Sequence, residues 1–148
     1  MVGTHRRRTL RGQLVEGQTK RLIVDDGRLN HGYKVVRFVV SGIPSSSAFD
    51  AFGTLCLDYD APRDWDWSDN RQIAWASTNI TTTAGVDAPF SLIDPDHVVI
   101  MDLFIQGQVS TGSGSDVLNY FIELETIDLT DDQAILTLIK ERSQDDLR

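Results

Sequence analysis

Two long β-patterned runs and one amphipathic helix fall within His97–Arg142, and they constrain this 148-residue chain more than any other stretch. His97–Gly107 and Val117–Leu129 read as strands, and Thr130–Ser143 as a short helix. The centre of the first run, Val98-Val99-Ile100-Met101, is apolar on both faces, as in an inner strand covered from two sides. In Asn119–Leu129, Tyr120, Ile122, Leu124 and Thr126 alternate with Phe121, Glu123, Glu125 and Ile127, so the face bearing the glutamates is partly wet. Thr130-Asp131-Asp132-Gln133 is a helix start, with a Thr N-cap and a Gln three residues on forming a capping box. Asp131 and Asp132 meet the positive end of the helix dipole, and Lys140 and Arg142 meet the negative end. Ile135, Leu138 and Ile139 form one apolar stripe. A helix this short is unstable alone, so the stripe must dock on the sheet or on another chain.

The remainder of the chain predicts further strands. Thr9–Val15 alternates loosely, as a short edge strand does, and Glu16-Gly17-Gln18 reads as a turn. Lys20–Asp25 carries Leu22, Ile23 and Val24, and Asp25-Asp26-Gly27 closes it. Tyr33–Ser41 is strongly apolar, but Lys34 and Arg37 interrupt its alternation, which predicts a bulge or a wet end. Phe52–Asp60 places Leu55, Leu57 and Tyr59 on one face and Thr54, Cys56 and Asp58 on the other. Gln72–Ser77 and Pro89–Ile93 are short strands. Gly42–Ala51, Pro62–Asn70, Thr78–Asp87 and Ser110–Ser115 have loop composition, and Asp94-Pro95-Asp96 is a turn. About eight strands with Gly/Pro/Ser loops and no mid-chain helix predict an all-β fold. It is an antiparallel β-sandwich or jelly roll with one short C-terminal α-helix. The expected organisation is a flexible basic arm (1–9), a sandwich domain (10–129) and a helix with a tail (130–148).

Composition narrows the function classes. No apolar run reaches the roughly 18 residues a membrane helix needs. The basic start, with Arg6-Arg7-Arg8, has no apolar stretch behind it, unlike a secretory signal. The lone cysteine, Cys56, has no partner for an internal disulfide and reads as a small buried hydrophobe, consistent with assembly in a reducing cytoplasm. The net charge of −8 conceals an asymmetry: residues 1–37 hold nine basic and three acidic groups, and the other 111 residues hold five basic and nineteen acidic. Opposed halves of this kind suit head-to-tail or arm-to-neighbour association of identical copies. The acidic body argues against a dedicated nucleic-acid-binding domain, leaving incidental contact through Arg6, Arg7, Arg8 and Arg11.

Few residues suggest chemistry. Asp64-x-Asp66-x-Ser68 resembles the start of a calcium loop, but Asp69 stands where the tight-turn glycine belongs and Trp75 where the bidentate glutamate belongs. Asp64, Asp66 and Asp69 are thus candidates that a solvated acidic loop explains as well. Trp65 and Trp67 flank Asp66 in a polar loop. They either fold back over the sandwich end, fill a pocket on a partner, or stack on sugar rings. His5, His31 and His97 lack metal-ligand spacing, no serine sits in a Gly-x-Ser-x-Gly setting, and no glycine-rich loop precedes a helix. An enzyme is therefore the poorer hypothesis; a hydrolase would need a buried carboxylate pair, which sequence alone does not show. No cofactor is implied.

Four phrases occur together: Gly12-Gln13-Leu14-Val15-Glu16-Gly17-Gln18-Thr19-Lys20-Arg21, Gly53-Thr54-Leu55-Cys56-Leu57-Asp58-Tyr59-Asp60, Gln72-Ile73-Ala74-Trp75-Ala76-Ser77 and Leu129-Thr130-Asp131-Asp132-Gln133-Ala134. With them the chain resembles short virion-type proteins of environmental marine bacteriophages over most of its length. These phrases carry no assigned catalytic or binding roles, so no functional residue is transferred. The resemblance implies a virion structural protein, a capsid or capsid-decoration component built in the host cytoplasm. Its partners would be copies of itself and other virion proteins, not a membrane. The alternatives are a tail or neck component, or a glycan-binding module using Trp65 and Trp67. Under the first reading, Arg6, Arg7, Arg8 and Arg11 reach an acidic neighbour, and Ile135, Leu138 and Ile139 close the core or seal an interface.

Overall fold

A computed structural model of the protein describes residues 6–25, 27–28, 30–43, 48–80, 89–111 and 116–143. Its elements are β1 (Arg7–Val15), β2 (Thr19–Ile23), β3 (His31–Gly42), β4 (Phe49–Cys56), β5 (Gln72–Ile80), β6 (Phe90–Ile93), β7 (Asp102–Thr111), β8 (Val117–Asp128) and α1 (Asp131–Ser143). The strands form two antiparallel sheets, β1-β8-β3 and β2-β7-β4-β5-β6. The pairings are nested: β1 with β8, β2 with β7, β4 with β5. A chain folded into one long hairpin and then wrapped into two layers pairs in this way, as in a jelly roll. β6 stays on β5 but touches the other layer, where the Ser91 hydroxyl donates to the Phe38 carbonyl at 2.9 Å. The expected all-β sandwich with a C-terminal helix is therefore the fold observed.

Alternation decides what lies between the layers. Leu14, Leu118, Ile122, Leu124 and Phe38 point inward from the three-stranded sheet, against Leu55, Ile73, Leu103 and Ile105 from the other. Each such side chain contributes roughly 1.5–3 kcal/mol by leaving water. The sheets approach closely over Gly53 and Gly107, which are cross-strand partners on β4 and β7. A Cβ on Gly107 would sit 2.6 Å from the Leu118 side chain and 3.0 Å from the Phe52 carbonyl, so only glycine lets Leu118 seat there.

The boundaries differ from the sequence reading in instructive ways. β1 begins at Arg7, so residues 7–9 of the expected arm belong to a sheet edge; residues 1–5 and the tail 144–148 lie outside the described residues. The bulge expected in β3 falls between Val35 and Arg37. β4 runs from Phe49 and stops at Cys56 rather than spanning Phe52–Asp60. The Leu57 N–H donates instead to the Arg71 carbonyl at 2.8 Å, and Asp58 turns the chain by accepting the Asp60 N–H at 3.1 Å. Residues 57–71 then cover the outer face of the five-stranded sheet, so β4 is buried on both sides near its end. Cys56 lies in that layer, where burial pushes its thiol up to about 12.

The larger correction concerns His97–Gly107. β7 starts only at Asp102 and continues to Thr111. Val99 makes an isolated bridge to Tyr33 in the other sheet, with hydrogen bonds of 2.8 and 2.9 Å. The next amides are taken by a side chain: the Glu141 carboxylate accepts N–H bonds from Ile100 (3.0 Å), Met101 (3.4 Å) and Asp102 (3.3 Å). The Met101 carbonyl meanwhile accepts from Val24 and Asp25. Apolar residues on both faces here signal a crossing between layers rather than a strand centre.

α1 begins as predicted. The Gln133 N–H donates to Thr130 Oγ1 at 3.2 Å, and the Thr130 N–H donates back to Gln133 Oε1 at 2.9 Å. Its stripe does not close the core. Ile135 and Ile139 are 56% and 57% exposed, Leu138 is half-buried, and the buried positions among the helix's described side chains are Ala134 and Glu141.

Glu141 thus fixes the helix to the body, and removing its carboxylate leaves the buried Ile100 amide unpaired. Glu141→Ala should cost about 1–3 kcal/mol in urea denaturation. Burial pushes the Glu141 carboxyl above the ordinary glutamate range, while the bonds from Ile100, Asp102 and Met101 pull it partway back. The folded pKa thus exceeds the unfolded one. The site's stabilisation is full below the unfolded value of about 4.3 and is lost as pH rises through the folded value. Stability of the wild type relative to Glu141→Gln should fall as pH rises above about 4, and a rise would show that the backbone hydrogen bonds outweigh burial.

Candidate functional site

The outer face of the three-stranded sheet is built by register. Across β1, β8 and β3 its rows are Gln13–Asn119–Ser41, Arg11–Phe121–Val39, Thr9–Glu123–Arg37 and Arg7–Glu125–Lys34. The two glutamates therefore lie between strands that carry cations. Arg7 reaches Glu123 at 3.4 Å and Glu125 at 3.9 Å; these pairs are exposed and add little stability. Arg11 and Arg37 make no ion pair among the described residues, although Glu123 stands opposite Arg37 in register. The Arg37 guanidinium lies over the Phe121 ring, 5.7 Å from its centroid, and Arg11 is the register partner of Phe121 on the other side. Arg11, Gln13, Asn119, Phe121 and Val39 line a shallow open groove of about 470 Å3.

The cluster Arg6-Arg7-Arg8 is divided by this arrangement. Arg6 is exposed, and its carbonyl accepts the Thr126 N–H at 2.9 Å. Alternation along β1 sends Arg8 to the opposite side from Arg7. Its Nη1 donates to the Val24 carbonyl at 2.8 Å, and its guanidinium lies over the Tyr33 ring. Arg7 and Arg8 thus serve the fold, whereas the exposed Arg6 and Arg11 side chains make no ion pair among the described residues, and Arg11 lies on the outer face of the sheet.

The helix offers a second surface. Ile135, Leu136 and Ile139 are each more than half exposed and adjoin one another, opposite Ala134 and Glu141. Leu136 belongs to this patch and was not in the predicted stripe; Leu138 sits at its margin.

The acidic loop is held internally. Asp66 Oδ1 accepts the N–H and O–H of Ser68 at 3.0 and 2.6 Å. Asp69 makes a bidentate pair with Arg71 at 2.9 and 2.6 Å, and Asp58 lies 3.5 Å from the same guanidinium. Asp64 is exposed, and its carbonyl accepts from Gln72 Nε2 at 2.8 Å. The candidates Asp64, Asp66 and Asp69 are therefore not gathered, and among the described residues no group of His, Cys, Asp or Glu is placed to hold a metal ion.

The two loop tryptophans part ways. Trp65 folds back between Phe52 and Phe90, with ring centroids 5.9 and 5.7 Å away. Trp67 stays 64% exposed, edge-on to buried Trp75 at 6.2 Å. The Trp75 indole N–H and the Asp66 N–H both donate to Gln72 Oε1 at 2.9 Å, so Gln72 ties the loop to the sheet. A further pocket of about 390 Å3 lies beside α1, with Asp58, Asp102 and Glu141 in its wall. Arg21 closes it by pairing with Asp102 at 3.0 Å. His97 pairs with Asp94 at 3.2 Å.

Sequence reasoning missed Arg37, Phe121, Leu136 and Glu141. The first two had a usable signal, because the glutamate face of β8 also carries Phe121. Glu141 had none, since its partners are backbone amides some 40 residues away in sequence. No family model matches the chain, and no curated protein or solved structure is similar to it.

Arg71 neutralises Asp69 and the buried Asp58 together, so Arg71→Leu should destabilise the fold by on the order of 3 kcal/mol. Trp67→Ala should change stability by less than about 1 kcal/mol. Chemical denaturation of the two variants checks both. A loss at Trp67 equal to that at Arg71 would make the exposed indole a structural element instead of a free surface.

Proposed function

We propose that this chain is a structural component of a phage particle, acting by non-covalent assembly in many copies as a capsid or capsid-decoration protein. The observation that carries the assembly reading is α1. Its apolar patch of Ile135, Leu136 and Ile139 faces away from the body while its docked side carries a glutamate. A helix arranged for its own domain's stability has the reverse polarity. Burying three large aliphatic side chains against another copy contributes several kcal/mol, about 1.5–3 each. The virion assignment itself rests on the resemblance of the phrases quoted above. A glycan-binding role is the second reading, and it narrows to Trp67, since Trp65 is half-buried against Phe52 and Phe90.

Native mass spectrometry over a range of concentrations tests the assembly reading. The wild type should populate a defined multimer, and Ile135→Asp/Ile139→Asp should shift it to monomer with unchanged circular dichroism. A wild type that stays monomeric at the highest concentration would overturn self-assembly. Binding to a glycan array abolished by Trp67→Ala would favour the second reading.

A further inference from the structure

We infer that copies of this chain join head to tail, helix α1 of one copy lying in the Arg11–Phe121–Val39 groove of the next. This rests on the assembly reading above and names its two surfaces. Asp132, Leu136 and Ile139 follow at i, i+4 and i+7, and Asp131, Ile135 and Ile139 at i, i+4 and i+8. Both series lie on the exposed side of the helix, so that side runs from an acidic turn to an aliphatic patch. The groove has the matching chemistry. Arg11 and Arg37, which make no ion pair among the described residues, lie on the two sides of Phe121, and Val39 lies beside it. Among the described residues, Asp131 and Asp132 on one surface and Arg11 and Arg37 on another thus stand outside any ion pair.

Dimensions fit the pairing. Asp132 to Ile139 spans roughly 10.5 Å along a helix. The width from β1 to β3 across β8 is two strand spacings, about 9.6 Å. The helix does not reach its own groove: Phe121 lies about seven residues along β8 from Asp128, roughly 23 Å from the end where α1 leaves the sheet. Glu141 holds the helix at that same end, against Ile100–Asp102. The occupant is therefore another copy. Because the two patches differ, the contact is heterologous and repeats, giving a ring if the rotation closes and a filament if it does not. The charge asymmetry agrees, since Arg11 and Arg37 belong to the basic first quarter of the chain, and Asp131 and Asp132 to the acidic remainder.

Two charge reversals test this, each on exposed side chains and each checked for folding by circular dichroism. Arg11→Glu/Arg37→Glu makes the groove and the Phe121 edge beside it acidic, and Asp131→Lys/Asp132→Lys makes the helix end basic. Each variant alone should lose assembly, with at least a tenfold weaker association in sedimentation. Mixed one to one, the acidic groove accepts the basic helix and the native groove accepts the native helix, so the mixture should reassemble with the two variants alternating. If the wild type assembles but Arg11→Glu/Arg37→Glu assembles equally well, the helix meets a different surface, such as a second helix. That outcome would overturn this inference and leave the assembly reading standing. Failure of the mixture to reassemble would also overturn it, whereas a monomeric wild type would remove both.

Discussion

One buried carboxylate organises the least regular part of this molecule. Glu141 is 7% exposed and accepts three consecutive backbone N–H groups from Ile100, Met101 and Asp102. Buried amides without a partner cost about as much as a lost hydrogen bond, so the chain crossing between the two sheets needs an acceptor at this point. Supplying it from α1 has two consequences. β7 starts at Asp102, because the preceding amides are already engaged. The helix is also turned so that its one long acid faces in, and the aliphatic residues on the opposite side must face out. The outward patch follows from the latch, not from a shortage of core volume elsewhere.

The sandwich itself depends on a different constraint. Nested pairing brings the middle strands β4 and β7 together in the larger sheet, and Gly53 and Gly107 stand opposite each other there. With no side chain at either position, Leu118 and Phe38 from the other layer come within van der Waals distance of the strand backbones. Close-packed interiors tolerate no such overlap from an added methyl group. Loop 57–71 then closes the outer side of the same strands through Gln72 and Gln106, whose side chains donate to carbonyls of Pro62, Asp64 and Ala61. The body is thus held by apolar packing on one side of β4 and by amide hydrogen bonds on the other.

Most of this architecture was legible in the sequence because alternation and turn chemistry are local signals. The eight strands, the β3 bulge and the Thr130–Gln133 capping box each follow from residues within a few positions of one another. The errors share a physical origin in long-range backbone pairing. Val98–Met101 has the composition of an inner strand, yet its amides bond to Glu141 and Tyr33, neither of which any window around residue 100 contains. Periodicity correctly found the apolar positions of α1 but carries no information on which side of the helix docks. Arg8 and Arg11 look equivalent in a basic run, but alternation along β1 sends one to the Val24 carbonyl and leaves the other on the outer face.

The distribution of charge separates what stabilises the fold from what remains for partners. Among the buried carboxylates, Asp58 faces Arg71 and Glu141 faces backbone amides, so each is engaged in the fold. The pocket beside them is lined by the Arg21–Asp102 pair, which places opposite charges where a ligand would need one sign. On the outer face of the three-stranded sheet the balance is different. Among the described residues, Glu123 and Glu125 pair with Arg7, and Arg11 and Arg37 make no ion pair beside the Phe121 ring. A guanidinium near a ring and outside an ion pair keeps most of its capacity to bind an anion, and the groove offers apolar contact next to it. Chemistry of this kind binds and orients a surface, and it is spread over β1, β8 and β3. It therefore survives only while the sandwich holds its register, because a slip of one residue along β8 would bury Phe121 and expose Tyr120.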